Sequence, residues 1–195
     1  REWKLDPETG HLPIEGLEAL LDEKVKLVCF PHCSNVLAEI NQVAEIAALA
    51  HAAGAYVCVD GVSDAPHGLP NVGALGADVY LFSAYKTYGP HQGVMVVRRA
   101  LGEALPNQGH YFNADVLYKR FTPAGPDHAQ VAASAGMADY VDALCAHHNA
   151  TATSLAEKGA FAHDLMRTHE TVLLQPLLDY LSAKNSVRLL GPRRA

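Results

Sequence analysis

The sequence predicts an α/β fold: a mainly parallel β-sheet with helices on both faces. Two observations carry this reading. Short apolar runs alternate along the chain with segments of helical period. The runs are continuously apolar rather than alternating, as expected of strands covered on both sides.

The elements follow in order. Pro13 to Asp22 places Ile14, Leu17, Leu20 and Leu21 at helical spacing. Val25 to Phe30 is a short apolar run and predicts a buried strand. Asn41 to Ala53 predicts a helix, with Asn41 suited to the cap, Val43, Ile46, Ala47 and Ala50 on one face, and Gly54 as the stop. Ala55 to Val59 is the second strand, Val72 to Leu75 a short helix or turn, and Ala77 to Ser83 the third strand. Val94 to Val97, reached after the Gly89-Pro90 break, is the fourth. Pro106 to Pro126 reads as loop. Asp127 to His147 and Ser154 to Thr168 read as helices. A further helix is expected over Thr171 to Ala183, kinked or shortened by Pro176. Val187 to Leu190 is a candidate first strand of a second domain.

Composition narrows the function. Of 195 residues, 49% are hydrophobic and 18% charged, ordinary for a globular protein, and the net charge of -6 argues against a nucleic-acid partner. No apolar run reaches the ~18 residues of a membrane helix, and Arg1-Glu2-Trp3-Lys4 is not a signal peptide. Four cysteines in a chain of this length do not make a disulfide framework. Cys29 and Cys58 lie in apolar runs and read as small buried hydrophobes. These features predict a reducing cytoplasm.

In a parallel α/β sheet, reactive groups gather where strands end. Three strand ends are suggestive: Pro31-His32-Cys33-Ser34-Asn35, Asp60 to His67, and Phe82 to Pro90. An Asp closing one strand and a Lys following the next is the pairing that pyridoxal-phosphate (PLP) chemistry needs. The lysine holds the cofactor as a Schiff base and later shuttles the substrate α-proton. The carboxylate keeps the pyridinium nitrogen protonated. Cys29, His32 and Cys33 cluster like metal ligands, but no second Cys/His pair follows at a zinc spacing, and no metal is predicted. No Gly-x-Gly-x-x-Gly follows the early strands, which weakens a nucleotide-binding reading.

The segments His32-Cys33-Ser34-Asn35-Val36-Leu37, Val59-Asp60-Gly61 with His67, and Ser83 to Gly93 together resemble the cysteine desulfurase and class V aminotransferase family, a group of fold-type I PLP enzymes. The resemblance runs from about Leu5 to about Tyr140, and the Asn35–Asp60 and Asp60–Lys86 spacings fit it. It implies Lys86 as the Schiff-base lysine and Asp60 as the pyridinium partner. It also implies Asn35 near the phenolic oxygen of the cofactor and Ser83 at its phosphate. Ser63 stands where the family often has a Gln that holds the phenolic oxygen, and being shorter would work through a water. Tyr85 stands where a His often lies near the phosphate, and offers a hydroxyl instead. Within Phe121 to Pro126, Gly125 takes the place of a threonine that usually reaches the partner subunit's phosphate. These departures suggest a divergent subfamily.

The resemblance further implies a homodimer, a small amino-acid substrate, and either a lyase or an aminotransferase outcome. It divides the chain into residues 1–170, part of the PLP-binding large domain, and 171–195, the start of a smaller C-terminal domain. The family's phosphate-cradling turn lies upstream of this sequence. Its nucleophilic Cys and its substrate-binding Arg lie beyond Ala195, so the sequence reads as a fragment, and Cys145 is not assigned as the nucleophile. The alternative is a non-catalytic module that keeps the fold as an interaction partner. Secondary candidates are His67 near the cofactor or merely ending a loop, His110, Tyr111 and Asn113 in a pocket or a surface loop, and Arg120 near a carboxylate or phosphate. His147 and His148 are expected at a helix C-terminus.

Overall fold

The computed structural model describes residues 1–122 and 124–195. Four strands form one sheet in the order β1 (Leu27–Pro31), β2 (Tyr56–Asp60), β3 (Val79–Ser83) and β4 (Gly93–Val97). The first three run parallel, with Pro31 beside Asp60 and Asp60 beside Leu81. β4 returns antiparallel and pairs Gly93 with Ser83. The mainly parallel α/β fold therefore holds, with one strand reversed. The reversal follows from the link: Ala84 to Gln92 is too short for the crossover of about a dozen residues that a parallel neighbour requires.

The main helix, α2 (Val43–Ala52), lies on one face of the sheet, and α1 (Ile14–Glu18) adds to the same core. Val43, Ile46, Ala47 and Ala50 meet Val28, Phe30, Val57, Val59 and Tyr80 there. α2 ends through Gly54, whose φ of +78° is the left-handed conformation a Gly tolerates best. Asn41 is not the cap. Gln42 takes that position without a side-chain bond, while buried Asn41 donates from Nδ2 to the Pro31 carbonyl at 2.7 Å. A predicted capping residue is thereby spent on pinning the end of β1. Cys29 and Cys58 also differ from expectation: Cys29 is exposed and Cys58 only partly covered. The pleat turns this in-register pair, like exposed Leu27 and Tyr56, away from the face that α2 covers.

Short helices α3 (Val72–Leu75) and α4 (Arg99–Ala104) flank the sheet, α4 within a stretch whose pattern predicted no helix. The Asp127–His147 segment divides into α5 (His128–Ala133) and α6 (Gly136–His147). Asp127 caps α5, accepting from the backbone N–H of Ala129 and Gln130. The break falls at Ser134, whose hydroxyl bonds back to the Gln130 carbonyl and accepts from Gln92. The two helices expected at 154–168 and 171–183 are one, α7 (Leu155–Ser182), which runs through both Pro176 and residue 170. Pro176 costs the helix one hydrogen bond, and no breaker precedes it at 168–171 to end the helix earlier. Val187–Leu190 is not a strand.

α7 begins with a complete capping box. Ser154 accepts from the Glu157 N–H, and the Glu157 carboxylate accepts from the backbone N–H groups of Ser154 and Thr153. Those hydrogen bonds hold the Glu157 carboxyl far below its ordinary value of 4.5, at about 2. A depressed carboxyl stabilises the fold above its unfolded pKa and loses that contribution as pH falls through its folded pKa. The first turn of α7 is therefore expected to lose amide-exchange protection between about pH 4.5 and about pH 2. Glu157→Gln should flatten that dependence, and full protection of Glu157 and Lys158 amides down to pH 2 would contradict the account.

Candidate active site

The carboxyl ends of β1, β2 and β3 and the start of β4 form one edge of the sheet, and Asn35, Asp60, Ser63, Ser83, Tyr85 and Lys86 lie along it. The ladder extends past the strands: the His32 N–H donates to the Asp60 carbonyl, Gly61 to Leu81, and Ala84 to Gln92. The loops leaving the edge are thus anchored at their first residue.

After β1, a tight turn presents Asn35. Ser34 Oγ accepts from the Val36 and Leu37 N–H groups, Ala38 takes φ +55°, and Cys33 bridges back to Ile40. Asn35 is exposed at the tip, with no hydrogen bond from its side chain to the described residues. After β2, Asp60 is exposed and accepts from the Val62 N–H through Oδ1 at 2.9 Å, an Asx turn. Ser63 lies half-buried in the same loop. Gly61 is required by packing, since a Cβ there would run into the Tyr80 ring.

After β3, Ser83 leads into a 3₁₀ turn, Ala84–Lys86, with Lys86 exposed at its end. Thr87, 2% exposed, locks this turn. Its hydroxyl lies 3.0 Å from the Ala84 carbonyl and 3.2 Å from that of Ser83, and its N–H donates to Ala84. Helices α6 and α7 hold the turn from outside. Met137 Sδ approaches Thr87 Oγ1 at 3.2 Å, and the Tyr88 ring, carried at φ +66°, stacks on Tyr140 at 4.4 Å. Tyr85 stacks on His91 at 4.7 Å with 12° between the rings. The Lys86 amine makes no hydrogen bond or ion pair among the described residues.

The edge therefore collects Asn35, Asp60, Ser63, Ser83, Tyr85 and Lys86, but with no side-chain hydrogen bond or ion pair among them. It offers an uncommitted amine, a carboxylate with one oxygen outside the Asx turn, hydroxyls and an amide. Such a set suits a cofactor carrying an aldehyde, a ring nitrogen and a phosphate. Among the described residues no three His, Cys, Asp or Glu side chains converge as metal ligands. The secondary candidates have other partners. His67 Nδ1 meets Glu170 of α7 at 2.7 Å. Arg120 donates to the carbonyls of Gly102, Glu103 and Leu105, closing the C-terminus of α4. Tyr111 is 87% exposed, on a surface turn with His110 and Asn113. His147 and His148 end α6, as expected, and Cys145 is buried with Sγ against the Lys158 carbonyl. Gly125 is exposed, whereas Pro123 of the same segment lies outside the described residues.

Sequence reasoning missed a buried group behind this edge. His32 Nδ1 lies 2.9 Å from Tyr80 Oη and 3.0 Å from Asp64 Oδ2. Tyr80 is fully buried, and the burial, with Asp64 and Asp60 beside it, raises its phenol above the ordinary value. The signal was a polar Tyr inside an apolar strand, which has to find a partner.

A parallel sheet with a carboxylate and a lysine at adjacent strand ends defines an α/β chain of the kind that assembles chemistry at its carboxyl edge. The family model for class V aminotransferases matches residues 2–195, and the chain belongs to that family. It is 36% identical over 190 residues to the aminotransferase-like protein FGM3 of Gibberella zeae, covering 96% of this chain and 42% of that protein. It is 34% identical over 198 residues to a cysteine desulfurase of Dickeya dadantii, covering 94% of this chain and 43% of the relative. The fold matches that of the cysteine desulfurase CsdA from Escherichia coli, with a TM-score of 0.67 at 20% identity over 95% of this chain and 45% of that one. A cysteine desulfurase from Thermococcus onnurineus gives 0.64 at 23% identity over 99% and 46%. The chain thus spans less than half the length of each. No helix among the described residues is long and apolar enough to cross a membrane.

Proposed function

We propose that this chain is the cofactor-bearing portion of a PLP-dependent enzyme acting on a small amino acid, with chemistry of the cysteine desulfurase or class V aminotransferase kind. One observation carries the reading: Asp60 closes β2 and Lys86 follows the neighbouring parallel strand β3, both at the same edge. Membership of the class V aminotransferase family supports it.

Lys86 would carry the cofactor on its amine, and the same amine, once free, would take and return the substrate α-proton. Asp60 would pair with the pyridine nitrogen, its Oδ1 fixed by Val62. Asn35 would bond near the phenolic oxygen, and Ser63 would reach that oxygen through a water. Ser83 and Tyr85 would bind the phosphate, with His91 orienting the Tyr85 ring by stacking. When bound, PLP supplies an electron sink for the bonds at the substrate α-carbon. We place residues 1–170 in the large domain, start a smaller domain at 171–195, and infer a homodimer in the cytoplasm, where four free cysteines are at home.

The test is exchange of the amino-acid Cα hydrogen for solvent deuterium, followed by NMR with the full-length protein and added PLP. Exchange with at least one amino acid is expected. Sulfide released from cysteine would then select a lyase, and amino transfer to an oxo acid an aminotransferase. PLP binding without exchange of any amino acid would favour the non-catalytic module.

A further inference from the structure

We propose that His32, Tyr80 and Asp64 are positioning residues: a buried triangle of side chains, joined through His32 Nδ1, that sets where the strand-end loops present Asn35, Asp60 and Ser63 to the cofactor. The inference rests on the PLP reading above.

The triangle ties together three separate pieces of chain. His32 is the first residue after β1, Asp64 lies in the loop after β2, and Tyr80 is in β3. The side chains of His32 and Asp64 are only 10% and 15% exposed, and Tyr80 is inaccessible. His32 Nδ1 joins the three groups: it lies 2.9 Å from Tyr80 Oη and 3.0 Å from Asp64 Oδ2, so that an N–H there can be shared between the two oxygens. The His and Tyr rings meet edge to face at 5.9 Å, which fixes their mutual tilt.

Each corner lies next to a proposed ligand of the cofactor. Asp64 adjoins Ser63 in sequence. The Tyr80 ring packs under Gly61, the residue after Asp60, so closely that no side chain fits there. The His32 N–H donates to the Asp60 carbonyl at 2.7 Å, and its carbonyl accepts from Asn41, closing the loop that carries Asn35. The Asn35 side chain has no hydrogen bond of its own among the described residues, and Asp60 only its own Asx turn. Their placement is inherited from the loops, and the triangle is a side-chain link between those loops.

A buried polar group of this kind is a poor source of stability compared with apolar packing of equal volume, but it admits few alternative geometries. Misplacement of a reacting group by about 1 Å costs on the order of 10²-fold in rate. The triangle is therefore expected to act on cofactor binding more than on folding.

Tyr80→Phe decides the matter, because it removes the hydroxyl while keeping the ring against Gly61; Asp64→Asn is the companion. Val43→Ala, in the core on α2, serves as a control of lowered stability away from the edge. Half-saturating PLP and the absorbance maximum of the bound cofactor are measured on the full-length proteins well below their melting temperatures, and the labelled lysine is mapped after borohydride reduction. The expected result is a wild type labelled at Lys86, with half-saturating PLP raised about tenfold or more and a shifted absorbance maximum in Tyr80→Phe and Asp64→Asn, but not in Val43→Ala. A wild type labelled at Lys86 with both edge variants behaving like Val43→Ala overturns the triangle and leaves the PLP reading standing. A wild type that takes no label at Lys86 overturns the PLP reading, and the triangle's role with it.

Discussion

Lys86→Ala is expected to abolish the borohydride-stable pyridoxyl adduct and to lower PLP-dependent Cα–H exchange by at least about 10²–10⁴-fold, the range that a positioned general acid–base contributes. The amine that would carry the cofactor and the amine that would move the proton are the same group, so no neighbour can supply one function after losing the other. The substitution should leave folding nearly unchanged. Lys86 is exposed and unpaired among the described residues, while the turn beneath it is held by Thr87, Met137 and the Tyr88–Tyr140 stack. An adduct that persists on another lysine in the variant, at wild-type yield, would refute the assignment. Asp60→Asn should differ in kind. The amide oxygen can still close the Asx turn with Val62, so the cofactor should attach, while loss of the charge lowers exchange on the order of 10²-fold.

Asp78→Ala should have the largest effect on stability, about 1–3 kcal/mol, the usual cost of leaving a buried donor without its acceptor. Asp78 is 3% exposed, and one carboxylate oxygen meets both the Val57 N–H and His51 Nε2 at 2.8 Å. The other faces Arg98 Nε at 3.4 Å. Removing the side chain leaves a buried backbone donor of β2 without its acceptor and strips a partner from α2 and from the end of β4. At about 2–4 °C per kcal/mol for a chain of this size, the melting temperature should fall by about 2–12 °C. Asp78→Asn should cost less, because its oxygen still accepts from Val57. The cluster is at the amino edge of the sheet, opposite Lys86, so PLP labelling of the folded variant should be unaffected. A melting temperature within 2 °C of wild type would rule out this account of the cluster.

The two ends of the sheet differ in how well they could be read from sequence. Asp60 and Lys86 were legible because each follows a continuous apolar run, and in a parallel sheet a run's end is also a place in space. Asn35, Ser63, Ser83 and Tyr85 were singled out by the family resemblance, and each lies within a few residues of a strand end. Asp78 drew no attention: its partners His51, Val57 and Arg98 are 20 or more residues away, and a single Asp before a strand is ordinary in sequence. Arg120 has the same difficulty in reverse. Its charge suggested an anion, yet its guanidinium meets the last carbonyls of α4, a helix whose six residues, Arg99–Ala104, are too few to show a period.

Local sequence by itself determined the α/β class, the three parallel strands and the sheet edge at which Asp60 and Lys86 lie, because periodicity and strand ends are properties of neighbours along the chain. The direction of β4 was implicit in the short Ala84–Gln92 link. Tertiary structure alone decided that Asn41 binds β1 rather than capping α2. It alone also decided that His32, Asp64 and Tyr80 meet. Their sequence separations are long, and only the desolvation of all three groups in one place obliges them to satisfy one another.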